Sequence, residues 1–348
     1  MSPVSTMSRT EEFVRFKPVV VVVGPTAVGK SRVAVGLAKR LQTEVLAADS
    51  RQVYRGMDIG TDKPTLEERD GVPHRLIDLV DPDEAFNAGI YRRTALPEID
   101  RLHREGRLPL VVGGTGLYVR TLIRGLCEGP EADPTFRAKL EEEARRTGAE
   151  ALHRELTRVD PESAARLHPH DQVKVMRALE VYHLLGRPLS SMHQRHVFGE
   201  SPFSALLIGL MRERKALYRR IEERVDSQLA RGLVDEVRGL LARGCDRRLG
   251  SMKGLGYRQI AAYLAGDCEY TEAVRLLKRD TRRFAKRQLT WFRKEPGILW
   301  LSLAEDESVE RITDKVLAMI EGFLAGLGRE AQGNKQSGRM AAAGVTAG

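Results

Sequence analysis

Eight consecutive residues carry the clearest chemistry in this sequence: Gly24, Pro25, Thr26, Ala27, Val28, Gly29, Lys30 and Ser31 satisfy the pattern G-x-x-x-x-G-K-[ST]. Glycines let the backbone curl until successive N–H groups point at phosphate oxygens, and a helix N-terminus behind them adds partial positive charge. Lys30 supplies a full charge, and the Ser31 hydroxyl is of the kind that ligates Mg²⁺. The loop says polyphosphate without saying which. A kinase or NTPase is the default, since most such loops hold ATP or GTP. Against that default, no run of several apolar residues ends in an Asp-Glu pair, and no guanine-reading Asn-Lys-x-Asp occurs.

Two further residues stand where a parallel sheet presents its ligands. Asp49 follows the apolar stretch Glu44 to Ala48, and Thr115 lies in Gly113-Gly114-Thr115-Gly116 after Leu108 to Val112. The carboxyl ends of such strands border the ligand crevice of open α/β sheets. Asp49 could act as a general base or could cap the turn that follows it. Thr115 could approach a substrate closely, or the glycines could serve only a turn. His74 and His103 have no ligand spacing and read as structural or solvated.

The elements that would hold these groups are legible. Val19 to Val23 is a β-branched run, as a strand buried on both faces requires. Val33, Leu37 and Leu41, with Ala34 and Ala38, recur at helical spacing. Strand, helix, strand predicts a right-handed βαβ unit. From about Asp133 to Ser191 strand-like runs vanish, and Asp133-Pro134, Asp160-Pro161 and His168-Pro169 punctuate helices. Ala205 to Met211 then returns the chain to the sheet, with helices to about Leu327. The fold class expected is α/β: a P-loop NTPase-like parallel sheet core flanked by helices, with an all-helical insertion domain. In residue terms this means a loose leader over 1–16, a core of 17–127 and 204–327, an insertion over 128–203, and a disordered tail over 328–348.

The chain has 348 residues, 42% of them hydrophobic, enough for a sizeable core. No run of eighteen apolar residues occurs, and neither a membrane span nor a secretory signal is expected. Cys127, Cys245 and Cys268 are far apart and form no zinc spacing, which suits a reduced cytoplasm. The net charge is +9 with pI near 9.6. Between Val274 and Lys294 nine Lys or Arg face the single acid Asp280. So lopsided a segment predicts an anion-facing helix, with nucleic acid the first choice of partner. Nothing suggests a symmetric interface, so a monomer is expected.

GPTAVGKS, ADSRQVYRGMDIGTDKP, PHRLIDLVDPDEAF and LVVGGTGLY, followed by VDPESAARLHPHDQVKVMRALEVY, GLGYRQI and FAKRQLTWFRK, closely resemble the motifs of the tRNA dimethylallyltransferase family. The likeness covers roughly residues 18 to 305. It implies that Gly24 to Ser31 hold the diphosphate of dimethylallyl diphosphate rather than ATP, with Mg²⁺ on Ser31. It implies Asp49 as general base, Thr115 at the reacting site, and Arg224 beside the diphosphate, with Arg220 a weaker candidate. The acceptor would be N6 of the adenosine 3′ to the anticodon, in tRNAs reading codons that begin with U. Residues implied to meet the anticodon stem-loop are Asp49, Ser50, Arg51 and Gln52; Thr115; Arg137; Val173, Lys174, Val175, Met176 and Arg177; and Lys253, Gly254, Leu255, Gly256, Tyr257 and Arg258. Tyr54, Tyr118 and Tyr257 could stack on the target base, although packing is their commoner use. Eukaryotic members often carry a C-terminal zinc finger, for which this chain has no Cys/His set, so a bacterial type is indicated. The rivals are a small-molecule kinase and a non-catalytic RNA-binding ATPase on the same fold.

Overall fold

The five valines of strand β1 (Pro18–Val23) divide between two cores. Val20 and Val22 enter one apolar cluster and Val19, Val21 and Val23 the other, and every one of them is fully buried. A strand at the centre of a parallel sheet has no solvent face, so an alternating pattern would leave polar groups in one core. Burying each valine contributes about 1.5–3 kcal/mol. The protein, described by a computed structural model over residues 8–125, 129–195 and 201–343, is built outward from this strand. Cys127, residues 1–7 of the expected leader and 344–348 of the expected tail lie outside the described residues.

Contacts divide the chain into two units, Met1–Ile123 with Pro202–Gly348, and Arg124–Ser201. In the first, β2 (Val45–Ala47), β3 (His74–Arg75), β4 (Leu110–Gly113), β5 (Ser204–Arg212) and β6 (Ile298–Leu303) join β1 in one sheet, ordered β3-β2-β4-β1-β5-β6. Every pairing is parallel, as the fold class expected requires. Helices α1 (Arg9–Phe16), α2 (Lys30–Leu41), α3 (Leu66–Arg69), α4 (Ala88–Arg104) and α5 (Gly116–Arg124) precede the second unit. After it come α11 (Arg214–Ala230), α12 (Leu233–Ala242), α13 (Tyr257–Leu264), α14 (Tyr270–Arg293) and α15 (Val309–Ala343). The second unit is all helix: α6 (Pro134–Thr147), α7 (Ala149–Val159), α8 (Pro161–Arg166), α9 (Gln172–Leu185) and α10 (Leu189–Arg195), around Leu152, Leu156 and Val175. Pro134 and Pro161 open their helices, and Asp133 and Asp160 cap them, so each Asp-Pro pair marks a start. Among the described residues no helix is long and apolar enough to cross a membrane.

Three expectations need correcting. The leader is not loose over its second half: Ser8 and Glu11 form a reciprocal capping box, and Phe13 of α1 is buried edge-on against His103. The tail is helical beyond 328, since α15 runs to Ala343. Ile312, Val316 and Ile320 anchor its first turns, and a helix once nucleated adds further turns at little cost. Finally, Ile298–Leu303 is a sixth strand on the edge beside β5, not part of a helical run.

Candidate active site

The phosphate cradle starts where β1 stops. Gly24 has φ +149°, and a Cβ there would lie 2.6 Å from the Leu210 carbonyl oxygen of β5, so only glycine lets the chain turn this close to its neighbour. Gly29, at φ +113°, opens α2 without any side-chain cap, leaving the first-turn amides to an anion. The loop carbonyls are held from behind. Lys30 Nζ donates to the Gly24 and Pro25 oxygens at 3.0 and 2.9 Å, Arg220 Nε to Ala27 O at 3.0 Å, and Arg212 Nε to Val28 O at 3.1 Å. Arg220 therefore grips the backbone of the cradle, and buried Arg212 is a support the sequence did not mark.

The carboxylate stands beside this cradle. Beyond β2, Asp49 Oδ1 accepts the Arg51 N–H at 2.8 Å, so one oxygen caps the turn; the other takes no hydrogen bond from the described residues. Ser50 N–H donates to Thr115 Oγ1 at 2.9 Å, and Thr115 N–H to Ala48 O at 3.1 Å, locking the ends of β2 and β4 together. Asp49, Thr115, Lys30, Ser31 and Arg224 border one cavity of about 310 Å³. Burial brings the Lys30 ammonium down from 10.5 to about 8; Asp49 opposes that shift, Arg224 adds to it and Asp62 opposes it.

Arg224 comes from α11. Its Nη1 donates to Thr26 Oγ1 at 2.8 Å and pairs with Asp62 at 3.3 Å. The loop carrying Asp62 is pinned by Glu236, whose carboxylate accepts from the Asp58, Ile59 and Gly60 amides at 2.9, 2.7 and 3.0 Å and from Tyr257 Oη at 2.7 Å. Tyr257 is 1% exposed, and a Cβ on Gly60 would sit 2.5 Å from its ring. It cannot stack on a base. Tyr118 is stacked on Tyr91 and Tyr54 is buried, so packing accounts for all three tyrosines. Around Tyr257, Lys253 is exposed, Gly254 and Gly256 are buried, Leu255 is half-buried, and exposed Arg258 pairs with Asp280. Arg51 donates to the Gly250 oxygen at 2.7 Å, and Gln52 reaches the Asp62 oxygen at 3.3 Å.

In the helical unit, Val173 is 76% exposed and Lys174 pairs with Asp171, but Val175 is fully buried. Its side chain belongs to the core, so of the residues 173–177 α9 turns Val173 and Lys174 fully outward. Met176 packs against the same core from its edge. Arg137 and Arg177 both bind Glu180, itself fully buried. Burial alone would raise the Glu180 carboxyl, but Arg137, Arg177 and the Asp133 amide outweigh it and hold it below the usual carboxylate range.

The basic segment is less lopsided than its sequence. Lys278 pairs with Asp226, Arg282 with Glu222, Arg275 with Glu272, and Arg279 with Asp280. Two of those acids stand on α11, out of reach of any local count. Lys286, Arg287, Arg293 and Lys294 are exposed and pair with no acid among the described residues. Lys286, Arg287 and Lys294 share a shallow groove with Arg283 and Trp291.

The profile of the IPP transferase family matches residues 52–295. The tRNA dimethylallyltransferase of Syntrophobacter fumaroxidans is 53% identical over 288 residues, 83% of this chain and 84% of its own. That of Geobacter sulfurreducens is 52% identical over 297 residues, 85% of this chain and 96% of its own. Among solved structures, the tRNA isopentenylpyrophosphate transferase of Bacillus halodurans superposes with a TM-score of 0.66 at 43% identity, covering 92% of this chain and 99% of that one. A eukaryotic dimethylallyltransferase acting on tRNA superposes with a TM-score of 0.76 at 27% identity, covering 89% and 80%. With about half its residues in common with curated relatives over most of its length, and its fold in common with solved ones, the chain belongs to the IPP transferase family.

Proposed function

We propose that this chain transfers the dimethylallyl group of dimethylallyl diphosphate to N6 of the adenosine 3′ to the anticodon, in tRNAs reading codons that begin with U. The observation that carries the reading is the meeting of a cationic cradle and a carboxylate oxygen in one small cavity. An exocyclic adenine amine is a weak nucleophile, so the leaving group must bear much of the work. The C1–O bond to diphosphate breaks while the N6–C1 bond forms, and the N6 proton passes to Asp49. The α2 amides, Lys30 and Arg224 stabilise the charge that grows on the departing diphosphate. Arg220 and Arg212 act by fixing the loop. Val112, Leu255, Leu277 and Phe284 offer the five-carbon group an apolar wall worth at most roughly 4 kcal/mol.

Mg²⁺ fits the residues present. It dehydrates reluctantly and favours a protein oxygen or two with phosphate oxygens and waters, which the Ser31 hydroxyl and the cavity-lining Asp62 can supply without a dedicated cage. When bound it would neutralise charge on the leaving diphosphate. The acceptor base must leave its stack to reach the cavity. We place the reaction in the cytoplasm and the protein as a monomer on the anticodon stem-loop, which the helical unit would help to clamp.

Radiolabelled dimethylallyl diphosphate, bulk tRNA and Mg²⁺ test this directly, with label expected in RNA without ATP. Hydrolysis or transfer of ATP γ-phosphate with RNA left unlabelled would make the chain a kinase or ATPase instead. The four unpaired cations at the end of α14 should set the salt response. If each meets one phosphate, log Kd for tRNA should change with log salt at a slope of magnitude about 3. Lys286→Ala and Lys294→Ala should each lower that magnitude by about one. A slope unmoved by both variants would put the RNA elsewhere.

A further inference from the structure

Gln288 stands on α14, 262 positions from the backbone it holds, and is 7% exposed. Its Oε1 accepts the Thr26 N–H at 2.9 Å, and its Nε2 donates to the Gly114 carbonyl at 2.9 Å. The two partners are of opposite kind, so the amide cannot be reversed without losing both bonds. The side chain closes the gap between the cradle and the turn after β4 tightly. A Cβ on Gly114 would meet Nε2 at 2.3 Å, and one on Gly116 would meet the Trp291 indole at 2.2 Å.

Thr26 lies on the shoulder of the loop away from α2. Lys30 Nζ reaches the Gly24 and Pro25 oxygens, so the ammonium already stands near the start of the loop. A polyphosphate seated on the α2 amides and running past Lys30 would next meet the Thr26 N–H. That amide is taken, and what faces the cavity beside it is the side chain that takes it. A third phosphate would find an oxygen acceptor where this kind of loop otherwise offers a donor. We propose that Gln288 is a selectivity-determining residue that withholds the Thr26 amide from a third phosphate and so favours diphosphates over triphosphates in the cradle. The inference rests on the reading of the donor as a diphosphate, and it explains how a loop of the ATP-binding pattern can decline ATP.

Calorimetric titration of the full chain with inorganic pyrophosphate and with tripolyphosphate, at one fixed Mg²⁺ concentration, tests it. The wild-type protein should bind pyrophosphate the more tightly. Gln288→Ala frees an amide for a charged acceptor and should move the ratio of the two constants about tenfold or more toward tripolyphosphate. Gln288→Asn, which is too short to span both partners, should move it in the same direction by less. Wild-type protein that prefers tripolyphosphate would overturn the diphosphate reading itself. Wild-type discrimination that persists unchanged in a variant still binding pyrophosphate would overturn the role of Gln288 alone. Loss of pyrophosphate binding in both variants would also overturn it, leaving Gln288 a structural brace.

Discussion

Asp49→Ala is expected to lower turnover ~10²–10⁴-fold, the range of general base assistance, while the affinity for dimethylallyl diphosphate is largely kept. The donor is held by the α2 amides, Lys30 and Arg224, none of which depends on Asp49 for its position. A second variant separates the two uses of this carboxylate. Asp49→Asn retains an oxygen for the Arg51 N–H and so keeps the turn, but it has no basic oxygen for the N6 proton. Single-turnover rates with saturating donor should be equally low in both variants. If asparagine restores the rate, Asp49 serves the turn and the proton goes elsewhere. The comparison belongs near pH 7, because Asp49 also supports the charge on Lys30, and its removal would let burial push that ammonium lower still.

What could be read in advance followed the range of the interaction. The valines of β1 and the loop after them announce themselves because strand, turn and helix chemistry act over a few residues. The position of Asp49 beside the loop follows from βαβ topology. The glycines after β4 carried the right signal with an open cause: Gly113 is tight against the Ala48 backbone, with a Cβ only 2.1 Å from its carbonyl oxygen, while Gly114 and Gly116 make room for α14. Gln288 and Glu236 were invisible for the opposite reason. Each stabilises a backbone segment more than a hundred residues away, and no local spacing encodes that. The same blindness inflated the charge of α14, whose neutralising Glu222 and Asp226 lie on another helix. The capping box at Ser8, with Phe13 behind it, was missed because the short polar stretch around it reads as loose chain.

Lys30→Met should lower kcat/KM for the donor ~10²–10³-fold, the cost typical of removing one preorganised electrostatic contact, and it should abolish a pH dependence that the wild-type protein shows. Of the three ammonium protons, two are spent on the Gly24 and Pro25 oxygens, so one remains for the diphosphate. In the free protein burial sets the group to about 8. Below that value it is charged and ready; above it, binding an anion must first take up a proton. Donor affinity should therefore hold steady up to about pH 8 and fall by up to tenfold per unit beyond it, with proton uptake on binding in the same range. The sign for the empty protein is the reverse. The folded state holds this proton less firmly than the unfolded chain at 10.5, so folding stability gains as pH rises from about 8 toward 10.5. Methionine keeps the volume and removes the proton, so both dependences should flatten together. Calorimetry in buffers of differing ionisation enthalpy reads the first and thermal unfolding the second. A wild-type affinity that stays level through pH 9 would mean that the cradle binds its anion through the helix amides and Arg224, with the lysine serving only to tie the loop.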